Sequence, residues 1–344
     1  MPHIRTVLGD IPDAELGITL CHEHLLIDLK RIFVDPCDDA SREMAHRPVT
    51  IENLGWIQTN YTRNLDNLGL YDESLVIEEA RLFKQAGGSA IVEVTPVDIG
   101  RNPASLVRIS EATGLHVVMG CGYYVHGTHP ADMATRSEDQ IFDEMVADVR
   151  EGAGGTRVRA GIIGEIGCTW PLHERERKVL RAAGRAQRET GAALTIHPGR
   201  DPAAPFEILD VVAGAGGDPA RVIMGHLDRT YPRFDKLQEL AQRGCYMEFD
   251  MFGIELSYYP FGKTDLPNDG RRIDLIKRLI EAGYLERMLL SHDIAFKHTL
   301  VRYGGRGYGH ILQNVRPKMA DKGLSEGEIR TMLVDNPRRA LAIA

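Results

Sequence analysis

Short apolar runs alternate with amphipathic stretches along nearly the whole chain. The apolar runs are too short for helices and predict eight β-strands, at residues 18–21, 89–95, 116–121, 158–164, 193–197, 221–225, 245–249 and 287–290. The stretches between them carry apolar residues at helical spacing, as in residues 74–88, 173–191 and 271–283. Gly191 and Gly283 close the last two of these stretches, as is typical of helix C-termini.

Eight strand–helix units in one continuous series predict an α/β protein with a single (β/α)8 TIM barrel. We expect a single domain over residues 1–344, because no linker, repeat or low-complexity tract divides the chain. The alternative is a doubly wound open sheet, but no glycine-rich dinucleotide fingerprint follows the first strand. Long segments follow four strands and should build the active-site face, at residues 29–73, 122–137, 250–270 and 293–310.

Metal-ligand residue types stand at the ends of five predicted strands. His22 and His24 end the first strand, and alternation along a strand places both imidazoles on one face. Carboxylates and imidazoles end four further strands, at Glu165, His197, His226 and Asp293. Any one of these residues could be a satisfied buried polar group. All six at one rim of a barrel predict a metal site.

The ligand types indicate the metal. Imidazole nitrogens and carboxylate oxygens without a thiolate suit Zn²⁺, with Mn²⁺, Co²⁺ and Fe²⁺ as alternatives. Six ligands are too many for one catalytic zinc ion and suit two divalent ions about 3.5–4 Å apart. We therefore expect Glu165 to bridge the ions together with a hydroxide, which the metals generate by lowering the pKa of bound water.

The composition argues against nucleic-acid and membrane partners, and we expect the partner to be a small-molecule substrate. The formal net charge is −8, which argues against a nucleic-acid surface. No apolar run approaches the roughly 18–20 residues of a membrane span, and the N-terminus lacks the apolar region of a signal peptide. The five cysteines are scattered without a CxxC motif, as expected for reduced thiols in a cytoplasmic protein.

Longer motifs resemble a known family over nearly the whole chain. They are GIIGEIGCTWPL (161–172), HPGRDPAAPF (197–206), GHLDRT (225–230), GCYMEFDMFGIE (244–255) and HDIAFKHTLVRYGGRGYGHIL (292–312). The chain resembles the phosphotriesterase-related proteins within the phosphotriesterase branch of the amidohydrolase superfamily. One departure from the organophosphate hydrolases of that branch is Glu165, which stands where they place a carboxylated lysine. The resemblance alone is therefore not enough to predict that this chain hydrolyses organophosphates.

The resemblance implies a ligand set and an activity. It assigns His22, His24 and Asp293 to the deeper metal, His197 and His226 to the outer one, and Glu165 to both. It implies an amidohydrolase that cleaves N-acetyltaurine or related N-acyl amino-sulfonates by attack of the bridging hydroxide. Asp293 would take the proton of that hydroxide and return it to the departing amine. Barrels of this family are often homodimers, so a homodimer is an expectation from the resemblance alone.

Two alternative functions stay open from the residues. A lactonase or a phosphotriesterase could use the same dinuclear site, and a non-catalytic barrel could bind a small ligand there. Missing ligands would indicate the non-catalytic barrel, and none of the six is missing.

Several residues near the predicted rim are candidate substrate contacts. Arg200, Arg229 and Lys297 could hold a sulfonate, and the alternative for each is a surface salt bridge. Tyr124 could donate a hydrogen bond to the substrate carbonyl, or its ring could pack in the core.

Other polar residues near the rim are harder to place. We expect His126 and His129 to face solvent and Asp228 to orient a metal ligand. Glu248 and Asp250 receive no role from the sequence.

Overall fold

The computed structural model describes residues 2–231, 233–256, 259, 261 and 265–343. We number strands and helices in chain order. The strands are β1 His3–Thr6, β2 Gly9–Pro12, β3 Thr19–Glu23, β4 Ile27–Asp28, β5 Gly69–Leu70, β6 Ala90–Glu93, β7 His116–Cys121, β8 Ile162–Gly167, β9 Ala193–His197, β10 Val222–Met224, β11 Tyr246–Phe249 and β12 Met288–Leu290.

Helices fill most of the connections between strands. They are α1 Asp39–His46, α2 Leu54–Thr59, α3 Glu73–Gln85, α4 Pro103–Thr113, α5 Glu138–Arg150, α6 Glu174–Thr190, α7 Ala204–Gly214, α8 Leu227–Thr230, α9 Phe234–Ala241, α10 Asp269–Glu281, α11 Arg316–Asp321, α12 Glu326–Arg330 and α13 Asn336–Leu341. Segments of π geometry, Ile311–Val315 and Thr331–Asp335, lead directly into α11 and α13. Gly191 and Gly283 have positive φ angles of 71° and 88°, which confirms the two predicted helix ends.

Eight parallel strands form the predicted barrel, in the order β3-β6-β7-β8-β9-β10-β11-β12. Hydrogen bonds also join β3 and β12, the first and last strands in this order. The His22 N–H donates to Ser291 Oγ at 3.0 Å, and the Asp293 N–H donates to the His22 carbonyl at 3.2 Å. The sheet is therefore a nearly closed barrel, which confirms the predicted fold.

The fourth barrel strand begins four residues later than predicted, at Ile162. The carbonyl of Val158 accepts a hydrogen bond from the Ala153 N–H at 2.9 Å, and its own N–H donates to Thr156 Oγ1 at 3.1 Å. These bonds fold residues 153–158 into a turn, so Val158 is not free to pair with β7.

Two apolar clusters fix the barrel. One takes buried side chains from all eight barrel strands and adds Ile4, Leu16 and Leu341, so it fills the barrel interior. The other packs the outer strand faces against the helices. Parallel strands end at the same rim, and this is why the segments after β3, β9, β10, β11 and β12 meet above the barrel. None of the described helices combines the length and apolarity that crossing a membrane requires.

Candidate metal centre and substrate cavity

The six predicted ligands meet at one rim of the barrel around Glu165. The Oε2 atom of Glu165 lies 3.0 Å from His197 Nδ1, 3.5 Å from His22 Nε2 and 3.6 Å from His226 Nε2. Its Oε1 atom lies 3.2 Å from His24 Nε2. One carboxylate thus touches four imidazoles that come from three other strand ends.

Asp293, which follows β12, completes the cluster beside the two histidines of β3. Its Oδ1 lies 3.3 Å from His24 Nε2 and 3.8 Å from His22 Nε2. Asp293 and His226 are the described non-glycine residues with positive φ angles, 54° and 55°. Left-handed backbone is disfavoured for such residues and concentrates at functional sites. Sharp turns at these two strand ends therefore direct both side chains into the cluster.

Hydrogen bonds to the far ring nitrogens orient three of the histidines. Thr95 Oγ1 lies 2.8 Å from His24 Nδ1, Glu248 Oε2 lies 3.1 Å from His22 Nδ1, and Asp250 Oδ1 lies 2.9 Å from His226 Nδ1. With Nδ1 occupied, each ring turns Nε2 toward the centre, as is usual for metal-ligating histidines. His22 Nε2 is buried and has no hydrogen-bond partner among the described residues.

His197 is turned the other way. Its Nδ1 faces the centre, 2.9 Å from His226 Nε2, while Arg229 Nη2 lies 3.2 Å from its Nε2. A donor set of imidazole nitrogens and carboxylate oxygens, with one nitrogen unsatisfied, fits divalent cations.

The electrostatics of the cluster also favour positive charge. Burial lowers the pKa of His24 and His226, but the neighbouring carboxylates outweigh it and raise both to about 9. For His24 these carboxylates are Asp293 and Glu165, and for His226 the first is Asp250. The carboxylates therefore make the surroundings of His24 and His226 attractive to positive charge, which bound cations would supply.

Sequence reasoning left Glu248 and Asp250 without a role, yet both are fully buried beneath the ligands. The sequence contains a pattern that could have identified these two residues. Glu248 and Asp250 are two residues apart at the end of a strand, the same spacing as His22 and His24, so they face the barrel interior together.

A cavity of about 690 Å³ opens above the cluster. Its described lining includes all of the ligands except His22 and His226, and it also includes Tyr124, Arg200, Arg229 and Tyr259. Arg200 Nε donates to Tyr259 Oη at 2.9 Å, and Arg229 Nη1 donates to the same oxygen at 3.2 Å. Sequence reasoning missed Tyr259, because it lies ten residues after β11 with no pattern to mark it.

The predicted substrate contacts differ in placement. Arg229 is buried, and its described partners are Pro198 O, His197 Nε2 and Tyr259 Oη, so it is not part of a surface salt bridge. Lys297 does not line the cavity, since its Nζ pairs with Asp66 Oδ1 at 2.5 Å. The ion pair with Asp66, which lies in the segment after β3, holds the lysine outside the cavity lining.

Three further expectations can be compared with the structure. Tyr124 Oη lies 3.1 Å from His197 Nδ1 at the cavity wall. His129 does not face solvent, because it is buried with Nε2 2.8 Å from the Tyr124 carbonyl, whereas the His126 side chain is 37% exposed. Asp228 does not orient a histidine, since its Oδ2 accepts from Arg272 Nε at 2.7 Å.

The sequence matches one family model and a set of curated relatives. The model, for the phosphotriesterase family, matches residues 2–341. The N-acetyltaurine hydrolase of Homo sapiens is 43% identical over 342 residues, which covers 98% of this chain and 97% of that protein.

Solved structures share the fold over nearly the full length. A resiniferatoxin-binding protein from Rhodobacter sphaeroides superimposes with a TM-score of 0.96 at 39% identity, covering 98% of this chain and 94% of that one. An organophosphorus hydrolase from Deinococcus radiodurans gives a TM-score of 0.78 at 28% identity, covering 98% of this chain and 96% of that one.

Proposed function

The chain belongs to the phosphotriesterase family, and from that premise we propose that it is a dinuclear metal-dependent amidohydrolase. Its substrate is N-acetyltaurine or a related N-acyl amino-sulfonate. The observation that carries the proposal is the contact of one carboxylate, Glu165, with all four imidazoles at distances of 3.0–3.6 Å. The curated relatives that are about 42% identical over the full length support the amide substrate.

His22, His24 and Asp293 would hold the deeper ion, and His197 and His226 the outer one. Glu165 would contact both. Zinc fits the nitrogen-rich set best, with Mn²⁺, Co²⁺ and Fe²⁺ as alternatives. Two divalent cations supply Lewis acidity and a nucleophilic hydroxide at neutral pH.

Asp293 handles the proton in this proposal. Its side chain is 19% exposed, so one carboxylate oxygen reaches the cavity while Oδ1 stays 3.3 Å from His24. An amine leaves an amide only after protonation, so a carboxylate that accepts the proton of the nucleophile and returns it to nitrogen accelerates cleavage. Tyr124, which lines the cavity, would donate a hydrogen bond to the substrate carbonyl.

Arg200 and Arg229 hold the anionic end of the amine. Both line the cavity, and each donates to Tyr259. A guanidinium presents paired donors that match sulfonate oxygens. Lys297 is not assigned to the substrate, because it is paired with Asp66.

Two further expectations remain proposals. A cytoplasmic location fits the five cysteines, which are all free. A homodimer rests on the family resemblance alone.

Parallel assays test the substrate class. Purified enzyme with its metals quantified should hydrolyse N-acetyltaurine faster than a γ-lactone or a phosphotriester of similar size. Faster turnover of either of those would refute the amidase and favour the lactonase or phosphotriesterase alternative, for which the organophosphorus hydrolase of similar fold provides a precedent.

A binding protein without catalysis is the second candidate, favoured by the similarity to the resiniferatoxin-binding protein. Metal analysis distinguishes such a binding protein from the proposed enzyme. We expect about two ions per chain and loss of activity on chelation. A protein that contains no stoichiometric metal and turns over none of the three substrates would be a binding barrel.

A further inference from the structure

A half-buried arginine, Arg200, and a buried one, Arg229, share one phenol oxygen in the substrate cavity. The Oη atom of Tyr259 accepts from Arg200 Nε at 2.9 Å and from Arg229 Nη1 at 3.2 Å. The hydrogen-bond partners of Arg229 among the described residues are two oxygens and an imidazole nitrogen, none of them a carboxylate. Neither guanidinium is in an ion pair with a carboxylate of the described residues, so an anionic ligand would compensate their charge.

The arginines are fixed in place and still have donors to spare. The Arg200 guanidinium carbon lies 4.8 Å from the Phe261 ring centroid and 5.5 Å from that of Tyr259, so two aromatic rings hold it by cation–π contact. Arg229 is buried but lines the cavity, and its Nε has no hydrogen-bond partner among the described residues.

Tyr259 is a donor as well. A phenol oxygen that accepts two hydrogen bonds has its lone pairs engaged, so its O–H is the group left to donate. Burial opposes ionisation of this phenol, but Arg229 and Arg200 outweigh it and hold the pKa of Tyr259 below its ordinary value. Polarisation by two cations makes the O–H a stronger donor.

We propose that Arg200, Arg229 and Tyr259 form a three-donor subsite that selects a sulfonate over a carboxylate. The assignment rests on the proposed function, because it takes the tail of the amine as its ligand. A sulfonate offers three oxygens, one for each side chain. A carboxylate offers two oxygens in one plane, so we expect it to meet the two guanidinium groups and to leave the phenol unpaired in a buried site. Sites that leave a buried polar group unpaired reject such analogues strongly.

A matched substrate pair tests the selection. N-acetyltaurine and N-acetyl-β-alanine carry the same acetamide and the same two-carbon spacer, and differ only in the anion. We expect wild-type kcat/KM to favour the sulfonate by roughly 10- to 100-fold, mainly through KM. In Tyr259→Phe, the preference should fall to within about threefold, because the sulfonate loses a donor and the carboxylate no longer leaves a buried hydroxyl unpaired.

The control is Tyr61→Phe, which removes a hydroxyl from another aromatic side chain of the same cavity. It should keep the wild-type preference. Circular dichroism and metal content establish that both variants are folded and loaded. An unchanged preference in folded Tyr259→Phe, or an equal loss in Tyr61→Phe, would overturn the role of Tyr259.

Calorimetric binding of the amines to wild-type enzyme separates this inference from the proposed function. Taurine should bind at least tenfold more tightly than β-alanine, and Tyr259→Phe should remove the difference. If taurine is preferred but no amide is cleaved, the amidase proposal fails and the sulfonate subsite stands. If amides are cleaved and the two amines bind equally, the subsite is wrong.

Discussion

Replacement of Asp250 by asparagine should weaken the outer metal site without disturbing the barrel. The Oδ1 atom of Asp250 lies 2.9 Å from His226 Nδ1, and both carboxylate oxygens accept the His226 backbone N–H, at 3.0 and 2.9 Å. These bonds hold His226 in its left-handed conformation, with φ of 55°. Asparagine keeps one acceptor oxygen and nearly the same volume, so the change removes mainly the negative charge.

The size of the expected effect follows from the hydrogen bonds to Asp250 that would no longer have a charged acceptor. A hydrogen bond to a charged group contributes about 1.5–3 kcal/mol and a neutral one about 0.5–1.5 kcal/mol, so the Nδ1 bond loses about 1–2 kcal/mol. His22 Nδ1, 3.4 Å from Oδ2, loses a weaker attraction. Each 1.4 kcal/mol is tenfold in affinity, and we therefore expect the affinity of the outer site for metal to fall about 5- to 30-fold.

Metal retention against a chelator is the assay. Protein loaded with Zn²⁺ is dialysed against graded concentrations of a chromophoric chelator, and bound metal is counted by mass spectrometry. In Asp250→Asn, the first ion should leave at a chelator concentration about 5- to 30-fold lower than in wild type, while the second leaves near the wild-type value.

Asp139→Asn is the matched control, because its 75% exposed carboxylate pairs with Arg185 on the surface and should not affect metal. Equal retention of both ions in wild type and Asp250→Asn would refute the orienting role of this carboxylate. Simultaneous loss of both ions together with helical structure would instead indicate a folding defect.

Three further variants test other parts of the structure. Glu165→Gln should lose metal and activity together, because the side chain contacts all four imidazoles; full activity would disprove the bridge. Asp293→Asn should keep most of its metal but lose turnover by a factor of ~10² or more, and a normal rate would mean that another group carries the proton. Burial opposes the charge of Asp269, but hydrogen bonds from His310 and the Gly253 N–H lower its pKa to about 2. That carboxylate therefore stabilises the fold above about pH 4 and loses its contribution, roughly 2 kcal/mol, as pH falls from 4 to 2. Urea titrations of Asp269→Asn across this range should show a smaller dependence on pH than wild type, and an identical dependence would refute the assignment.

The pattern of the chain determined the barrel and its ligand positions. Strand periodicity is local, and parallel strands of one barrel must end at the same rim, so His22, His24 and the later strand-end residues could be brought together without coordinates. The structure places these side chains in contact, as the prediction requires.

Tertiary structure alone decided what each polar side chain contacts beyond that rim. Lys297 was predicted at the substrate and pairs with Asp66, which lies in the long segment after the first barrel strand. Tyr259 meets Arg200 and Arg229 from a loop that begins after β11. These contacts join residues 30 to 231 positions apart. The direction of a loop side chain depends on the packing of neighbouring loops, and no period in the sequence encodes it.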